Sequence, residues 1–136
     1  MARFNTLELL DAVQIFENKI NLALMYSGLR LPQYRAMVFM EKAGKITVSD
    51  LGRQQAISRA TASVLVAGLT KAGIVESVAN SADKRSFYIK LTEAGLSRLQ
   101  LAKSEVALVE EHLARHIPEE SAQVLNDLFR IIHKKI

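Results

Sequence analysis

The segment from Ile57 to Gly95 limits most strongly what this chain can fold into. It opens with Ser58, whose side chain suits a helix N-cap, and continues with apolar residues at helical spacing. Gly73 is the residue type that most readily adopts the left-handed stop of a helix. The spacing therefore predicts a helix over residues 59–72.

A β-hairpin is predicted directly after this helix. Residues 74–79 and 86–91 are two short, β-rich runs, and a polar, turn-forming stretch separates them. That stretch, residues 80–85, ends in the two cations Lys84 and Arg85. We therefore expect the hairpin to have a basic tip.

The residues before Ile57 indicate a second short helix. Thr47 is a candidate N-cap, and Asp50 completes a weak capping box with it. Residues 54–57 would form the tight connection to the next helix, and residues 45–47 would add a minimal third strand to the hairpin. Two short helices followed by a hairpin make a winged helix-turn-helix, which presents one helix to a DNA groove and a loop to the flanking backbone.

Both ends of the chain are predicted to be strongly apolar helices, over residues 4–24 and 118–136. Between them, residues 31–43 form a second helix, and a long helix with a narrow apolar seam runs from Glu93 until Pro118 breaks it. The wide apolar faces of the terminal helices need partners. We interpret them as the interlocking helices of a symmetric dimer; a monomer that folds them back onto its own core is the alternative.

The predicted fold class is therefore mainly α with a small β-hairpin wing, in a single domain. We expect residues 1–28 and 118–136 to be dimerisation helices. Residues 45–91 should form the winged helix-turn-helix lobe, and residues 92–116 the long helix that connects the lobe to the C-terminal end.

The positive charge of the chain is concentrated in the predicted lobe. Between Lys45 and Lys90 there are seven cations and three acids, an excess of +4, whereas the remaining residues carry eleven of each sign. This placement is typical of a protein that binds a polyanion. The alternative is that +4 is an ordinary net charge for a soluble protein.

Several classes of protein are disfavoured by the sequence. It contains no cysteine, which excludes thiol redox sensing and cysteine-ligated metals. It has neither an apolar stretch of membrane-spanning length nor an apolar signal segment, so a cytoplasmic location is expected. Because no nucleophile elbow, P-loop or GxGxxG is present, we predict neither an enzyme nor a bound cofactor.

A set of motifs, in this order and spacing, resembles the MarR family of bacterial transcription regulators over nearly the whole chain. The motifs are Leu31-Pro32-Gln33-Tyr34, Thr47-Val48-Ser49-Asp50-Leu51, Ser58 with Thr61, Leu69-x-x-x-Gly73, Asp83-Lys84-Arg85 and Leu91-Thr92-x-x-Gly95. The resemblance implies a homodimeric transcription repressor. Its terminal helices would form the dimer interface, and its two winged lobes would bind double-stranded DNA at a pseudo-palindromic operator.

The resemblance also implies which residues contact DNA. The second helix of the motif would enter the major groove, and Arg85 maps onto the wing arginine that enters the adjacent minor groove, where a guanidinium is favoured. Asp83 is expected to hold the wing, by pairing with Arg85 or by capping turn amides. The full predicted DNA-binding set is Ser58, Arg59, Thr61, Ser63, Lys84 and Arg85.

The sequence departs from the family in the helix that would read the major groove. Val64, Ala67 and Gly68 stand where polar or charged residues are frequent in the family. This departure indicates a different operator, weaker DNA binding, or a lobe that has lost DNA binding. The alternative function is therefore a protein-interaction module that resembles the family and antagonises another regulator.

Many members of the family bind small aromatic or amphipathic ligands in a cleft between the dimerisation helices and the winged lobe. The residues that would line such a cleft here are Met25, Tyr26, Tyr34, Met37 and Met40. Methionine suits an adaptable apolar pocket, although methionine and tyrosine at helical spacing are also typical of a plain core. A ligand that changes the affinity for DNA is thus an expectation from the resemblance.

A metal site has only weak support. His112 and His116 lie four residues apart, a spacing at which two imidazoles on one helix face can chelate a divalent metal. Glu110 or Glu111 would add oxygen ligands. A single histidine pair is short of the three or four ligands that zinc needs, so we interpret the pair as solvated surface and predict no metal.

Overall fold

The computed structural model of the chain describes residues 3–83 and 85–135. Its elements in chain order are α1 (Thr6–Leu24), a 3-10 turn (Met25–Ser27), α2 (Leu31–Ala43), α3 (Val48–Gln55), α4 (Arg59–Lys71), β1 (Val75–Ala79), β2 (Phe87–Leu91), α5 (Glu93–Ala114) and α6 (Glu119–Lys135). The predicted fold class, mainly helical with one hairpin, is confirmed. Over the described part of the chain, no helix combines the length and the apolarity that crossing a membrane would require.

The helices begin where side-chain caps satisfy their first backbone amides. Asn5 Oδ1 accepts the Glu8 N–H of α1 at 3.1 Å, and the hydroxyl of Thr92 accepts the Gly95 N–H of α5 at 3.0 Å. At α3, the Thr47 hydroxyl and the Asp50 carboxylate each accept the other's backbone N–H, at 3.0 Å and 2.9 Å. The capping box predicted there is therefore present.

The wing is an antiparallel hairpin that is anchored on its inner side. Its register pairs Val75 with Leu91 at the base. Ile46 adds a bridge to Ile89 through two backbone hydrogen bonds, of 3.0 Å and 2.7 Å, which is the minimal third strand predicted from the sequence. Because Ile46, Val75 and Ile89 are all buried, the hairpin shares the core of the lobe.

One hydrophobic core joins the lobe to the C-terminal end of α1, to α2 and to the first half of α5. Its largest fully buried side chains are Leu24, Met37, Met40, Leu51, Leu69, Ile89 and Leu99. Close-packed side chains of this kind determine how α2, α3 and α4 sit against one another. The orientation of α4, and hence the face it presents to solvent, follows from this packing.

The long helix α5 starts in direct contact with the base of the wing. The hydroxyl of Thr92 lies 2.6 Å from the carbonyl oxygen of Gly73 and 3.1 Å from that of Ile74. At Gly95 a Cβ atom would collide with the Ile74 carbonyl group. Glycine is therefore required at this position by close packing, which gives the Leu-Thr-x-x-Gly motif a physical reason.

The terminal helices are packed very differently. Residues 3–19 are all exposed, and residues 119–134 are exposed or half-buried. Many of these side chains are large and apolar: Phe4, Leu7, Leu10, Val13, Ile15 and Phe16 near the start, and Val124, Leu125, Phe129, Ile131 and Ile132 near the end. The chain by itself therefore leaves a large apolar surface in contact with water.

Candidate nucleic-acid interface

The start of α4 is held by a compact N-cap. The Ser58 Oγ accepts the Thr61 backbone N–H at 3.1 Å and donates to the Thr61 Oγ1 at 2.9 Å. The Ser58 hydroxyl is thus engaged within the chain in both directions. Of the predicted DNA-contacting residues on this helix, Arg59, Thr61 and Ser63 are exposed.

The helix turns its polar and apolar residues to different sides. Ala62, Val66 and Leu69 are buried and define the inner face. At about 100° per residue, Arg59, Thr61 and Ser63 project to the sides of the helix. The surface directly opposite the core is formed by four exposed residues, which we call the outward face: Ala60, Val64, Ala67 and Lys71.

The predicted set of DNA-contacting residues does not include the outward face, although the sequence singles out Val64 and Ala67 as departures from the family. Val64, 74% exposed, lies at the centre of this face. Gly68 borders it, and a Cβ atom built there would meet nothing within 4 Å among the described residues. Packing within the chain therefore does not require glycine at position 68. The helical period of the buried residues predicts this face, whereas residue type alone favours the polar side chains as DNA contacts.

The turn between α3 and α4 brings the two helices into close contact. Gly52 faces the Ile57 carbonyl oxygen, which would lie 3.2 Å from an added Cβ. Ala56 adopts a left-handed conformation with φ of 54°, which is uncommon for a residue with a side chain. The backbone thus reverses within residues 56–58 and delivers α4 to the surface.

The capping box of α3 also affects an ionisable group. The Thr47 backbone N–H, which Asp50 accepts, is the main reason that the pKa of Asp50 lies below its usual value. Burial opposes this effect, while the Thr47 hydroxyl and the Arg53 guanidinium add to it. Arg53 contacts the Asp50 carboxylate at 2.5 Å, so part of its charge is neutralised within α3.

The tip of the wing is ordered by its own side chains. Asn80 Oδ1 accepts the Ala82 N–H at 3.0 Å, and Asn80 Nδ2 donates to the Ser86 hydroxyl at 2.9 Å. Asp83 Oδ1 accepts the Arg85 N–H at 2.9 Å, which is the turn-amide contact expected of it. Arg85 is exposed at this tip. Lys84, the other predicted wing cation, lies outside the described residues.

The five residues expected to line a ligand cleft do not come together. Met37 and Met40 are 0% and 1% exposed and belong to the core, whereas Met25 and Tyr26 are 68% and 88% exposed. The helical period of α2 directs the two methionines at the core of the lobe, and a ligand cleft lined by these residues stays a prediction. Tyr34 is half-buried and lines a separate depression with Val38 and Phe39.

Tyr34 lies near a group of charged side chains that join α2 to α5. Lys103 pairs with Glu41, which also accepts a hydrogen bond from Gln100 at 3.2 Å. Burial raises the pKa of Tyr34, the carboxylates of Glu110 and Glu41 raise it further, and Lys103 lowers it. This cluster ties the long helix to the lobe.

A groove next to α4 was not anticipated from the sequence. It has a volume of about 590 Å³ and lies between the end of α1, the start of α2 and the first half of α4. Its lining includes Glu17, Asn21, Arg30, Leu31, Arg35, Ile57, Thr61, Val64 and Leu65. Because three helices contribute, only tertiary packing could reveal it.

His112 and His116 lie next to each other in the structure. The rings of His112 and His116 lie edge to face with centroids 5.3 Å apart, and both side chains are exposed. Over residues 3–83 and 85–135, no group of three or more histidine, aspartate or glutamate side chains is arranged to hold a metal ion.

Comparison with known proteins supports the same fold. The model of the MarR family matches residues 27–86. A MarR variant from E. coli, solved in complex with operator DNA, aligns with a TM-score of 0.84 at 20% identity, over 92% of this chain and 91% of the other. No match was found among curated protein sequences.

Two further solved structures extend this likeness. A probable transcriptional regulator from Pseudomonas aeruginosa aligns with a TM-score of 0.84 at 22% identity, over 93% of this chain and 95% of the other. NadR in complex with 4-hydroxyphenylacetate aligns with a TM-score of 0.79 at 24% identity, over 100% and 96%. The chain is thus similar to the MarR family over residues 27–86, and it shares the winged-helix fold of these solved structures along nearly its whole length.

Proposed function

We propose that this protein is a homodimeric, sequence-specific DNA-binding repressor of transcription that acts in the cytoplasm and is not an enzyme. The observation that carries the proposal is the coincidence of charge and shape. The excess of +4 lies within residues 45–90, which also form the exposed helix α4 and the ordered wing. Phosphate contacts from such a surface position a protein on DNA, and α4 would then read base edges.

The proposed dimer rests on the exposed apolar residues of α1 and α6. A surface of this kind is uncommon on a monomer, and a second copy is the partner that is always present at equal concentration. Two lobes related by a two-fold axis would read half-sites centred about 10 base pairs, or a multiple of this, apart. Sedimentation analysis at micromolar concentration is expected to give twice the mass of the chain; a monomer would contradict the dimer.

The proposed function is tested by selecting bound fragments from sheared genomic DNA with purified protein, at low and at physiological salt. Recovery of one pseudo-palindrome at both salt concentrations is the expected result. Transcription in vitro from a template that carries this site should then fall when the protein is added. Enrichment of no sequence, with binding that salt abolishes, would contradict sequence-specific regulation.

We further propose that a small aromatic carboxylate bound in the groove beside α4 weakens DNA binding. The groove combines apolar side chains with the cations Arg30 and Arg35 and one carboxylate, Glu17, and it has room for such a ligand. Thr61, Val64 and Leu65 of α4 line it, so an occupant would contact the helix that reads DNA. Since NadR was solved with 4-hydroxyphenylacetate, that compound is the probe to use.

The ligand proposal is tested by titrating the probe into the protein bound to its selected operator. Release of the operator by 4-hydroxyphenylacetate or benzoate, lost in Arg35→Ala, is the expected result. Arg98→Ala on α5 is the matched control, because it removes a cation away from the groove. Unchanged operator affinity at millimolar concentrations of both compounds would contradict this ligand class and leave DNA binding standing.

A second candidate function is favoured by one observation. The centre of the outward face is the apolar side chain of Val64, which suits a protein partner as well as a DNA groove. A protein-interaction module of this kind would bind DNA without preference for any sequence. The genomic selection separates the two functions, since only the repressor recovers an operator.

A further inference from the structure

The exposed surface of α4 has an apolar centre with polar residues on either side. On the outward face, Ala60, Val64 and Ala67 follow one another along the helix axis over about 10 Å, or about three base-pair steps. Arg59 and Ser63 project to the sides, where the walls of a groove carry phosphates. Lys71 lies at the C-terminal end of the outward face and adds a cation at that end.

The chemistry of these side chains restricts what they can recognise. Alanine and valine neither donate nor accept hydrogen bonds, so the bases that face them lose water without gaining a partner. Guanine, adenine and cytosine present donors or acceptors to the major groove, and this loss disfavours them opposite Val64. Thymine also presents a C5 methyl group, which an isopropyl group can contact favourably.

From this arrangement we infer that Val64 is a specificity-determining residue that recognises the C5 methyl group of thymine at the centre of each operator half-site. The inference rests on the proposed DNA-binding function and deepens it. Arg59, Lys71 and the wing supply the contacts that hold the helix in the groove, and Val64 selects A·T pairs within it. The residues of α4 that are apolar here and often polar in the MarR family therefore change the preferred operator and do not abolish DNA recognition.

The open position at Gly68 agrees with this geometry. Because a Cβ atom there would meet nothing within 4 Å among the described residues, packing within the chain does not explain why position 68 is a glycine. Glycine in the middle of a helix lowers helix stability relative to alanine. Its absence of a side chain lets the helix approach the floor of a groove closely beside Val64.

The test uses the duplex that wild-type protein recovers from a random-sequence library. Each thymine in a half-site is replaced in turn by deoxyuracil, which lacks only the C5 methyl group, and affinity is measured by fluorescence anisotropy at constant salt. For at least one central thymine, the dissociation constant of the wild type should rise about fourfold in one half-site and about fifteenfold when both are changed. Deoxyuracil outside the half-sites is the control and should have no effect.

The variant Val64→Ala tests whether Val64 is the residue that contacts the thymine methyl group. Val64 is exposed and alanine favours helix, so the variant should fold and remain dimeric, as checked by circular dichroism and sedimentation. It should bind the thymine and deoxyuracil duplexes with affinities that differ by less than twofold. In contrast, Arg59→Ala should weaken both duplexes and retain the fourfold difference between them.

Three outcomes would overturn the inference. If wild type binds its operator equally well with deoxyuracil at every position, the proposed function stands and thymine recognition is wrong. If Val64→Ala retains the full methyl effect, another residue makes the contact. If the library yields no preferred sequence, the proposed function fails, and recognition of thymine fails with it.

Discussion

The winged lobe and the terminal helices of this protein solve the problem of burying apolar side chains in different ways. The lobe buries its own: Leu51, Leu69 and Ile89 are 0% exposed within a single chain. Residues 3–19 and the helix α6 leave most of theirs in water, with Phe4 74% exposed and Phe129 52% exposed. The lobe therefore buries its apolar side chains within one chain, and the terminal segments do not.

This difference separates two sources of stability. Packing within the lobe does not depend on protein concentration, whereas burial of α1 and α6 against the second chain of the proposed dimer would. Changes in the lobe should act on unfolding or on DNA contacts, and changes in the terminal helices should act on assembly.

The largest effect is expected from a charge in the terminal helices. Phe129→Asp places a carboxylate on the apolar side of α6 and should prevent the proposed dimer from forming. Because two linked half-site contacts then become two independent ones, affinity for the full operator should fall by about 1000-fold, or about 4 kcal/mol. Sedimentation and anisotropy measure the two effects.

The matched control for this change is Gln123→Asp, which adds the same charge at an exposed polar position of α6. It should leave both the dimer and operator affinity intact. A Phe129→Asp protein that remains dimeric would show that the exposed side of α6 is not the contact between chains.

Gly95→Ala should produce a large loss of stability at the contact between α5 and the lobe. The added Cβ collides with the Ile74 carbonyl group, so α5 and the base of β1 must separate. We expect the free energy of unfolding to fall by about 3 kcal/mol, at the upper end for overpacking. In contrast, Gly68→Ala meets open space and should raise it by up to about 1 kcal/mol. Urea unfolding of both variants checks this pair, and equal effects would contradict it.

Arg85→Ala tests the wing without touching the core. Loss of one exposed cation should weaken operator binding by about 2 kcal/mol and reduce the slope of log K against log salt concentration by about one. Arg115→Ala removes an exposed cation at the end of α5 and should change neither quantity. If Arg85→Ala leaves both affinity and slope unchanged, the wing does not contact DNA.

The smallest effect concerns the pH dependence of the lobe. The pKa of Asp50 is lower in the folded chain than in the unfolded one, where it is about 3.9. The stability it contributes is therefore fully present above about pH 4 and is lost as the pH falls through the folded pKa. Asp50→Asn should show a smaller drop in Tm between about pH 4 and pH 2 than wild type. Identical drops would show that the capping box contributes no acid-sensitive stability.

The sequence was sufficient to predict the elements and their limits. Caps such as Ser58, Thr47 and Thr92 act through neighbours three residues away, so local sequence contains the whole interaction. The helix predicted over residues 59–72 is observed as Arg59–Lys71. The single bridge from Ile46 to Ile89 was also foreseen, because the short β-rich run lies directly before α3.

The candidate site was predicted less completely, for two physical reasons. A groove formed by α1, α2 and α4 depends on how three helices pack, and no local pattern encodes that. The predicted cleft residues depend on packing in the same way, since Met37 has the same local pattern whether it faces a cavity or the core. The sequence predicts that Val64 lies on the DNA-reading helix, but residue type favours polar side chains, and not valine, as DNA contacts.

The close contact at Gly95 has a mechanical consequence. Because α5 begins against the Ile74 carbonyl and its first turn is bonded through Thr92, it cannot slide along the base of the wing. A helix of 22 residues is a lever arm of about 33 Å. A rotation of about 5° at one end displaces the other by about 3 Å, close to one base-pair step of about 3.4 Å. In the proposed dimer on DNA, a small rotation of α5 at its C-terminal end would therefore shift the lobe by about one base-pair step.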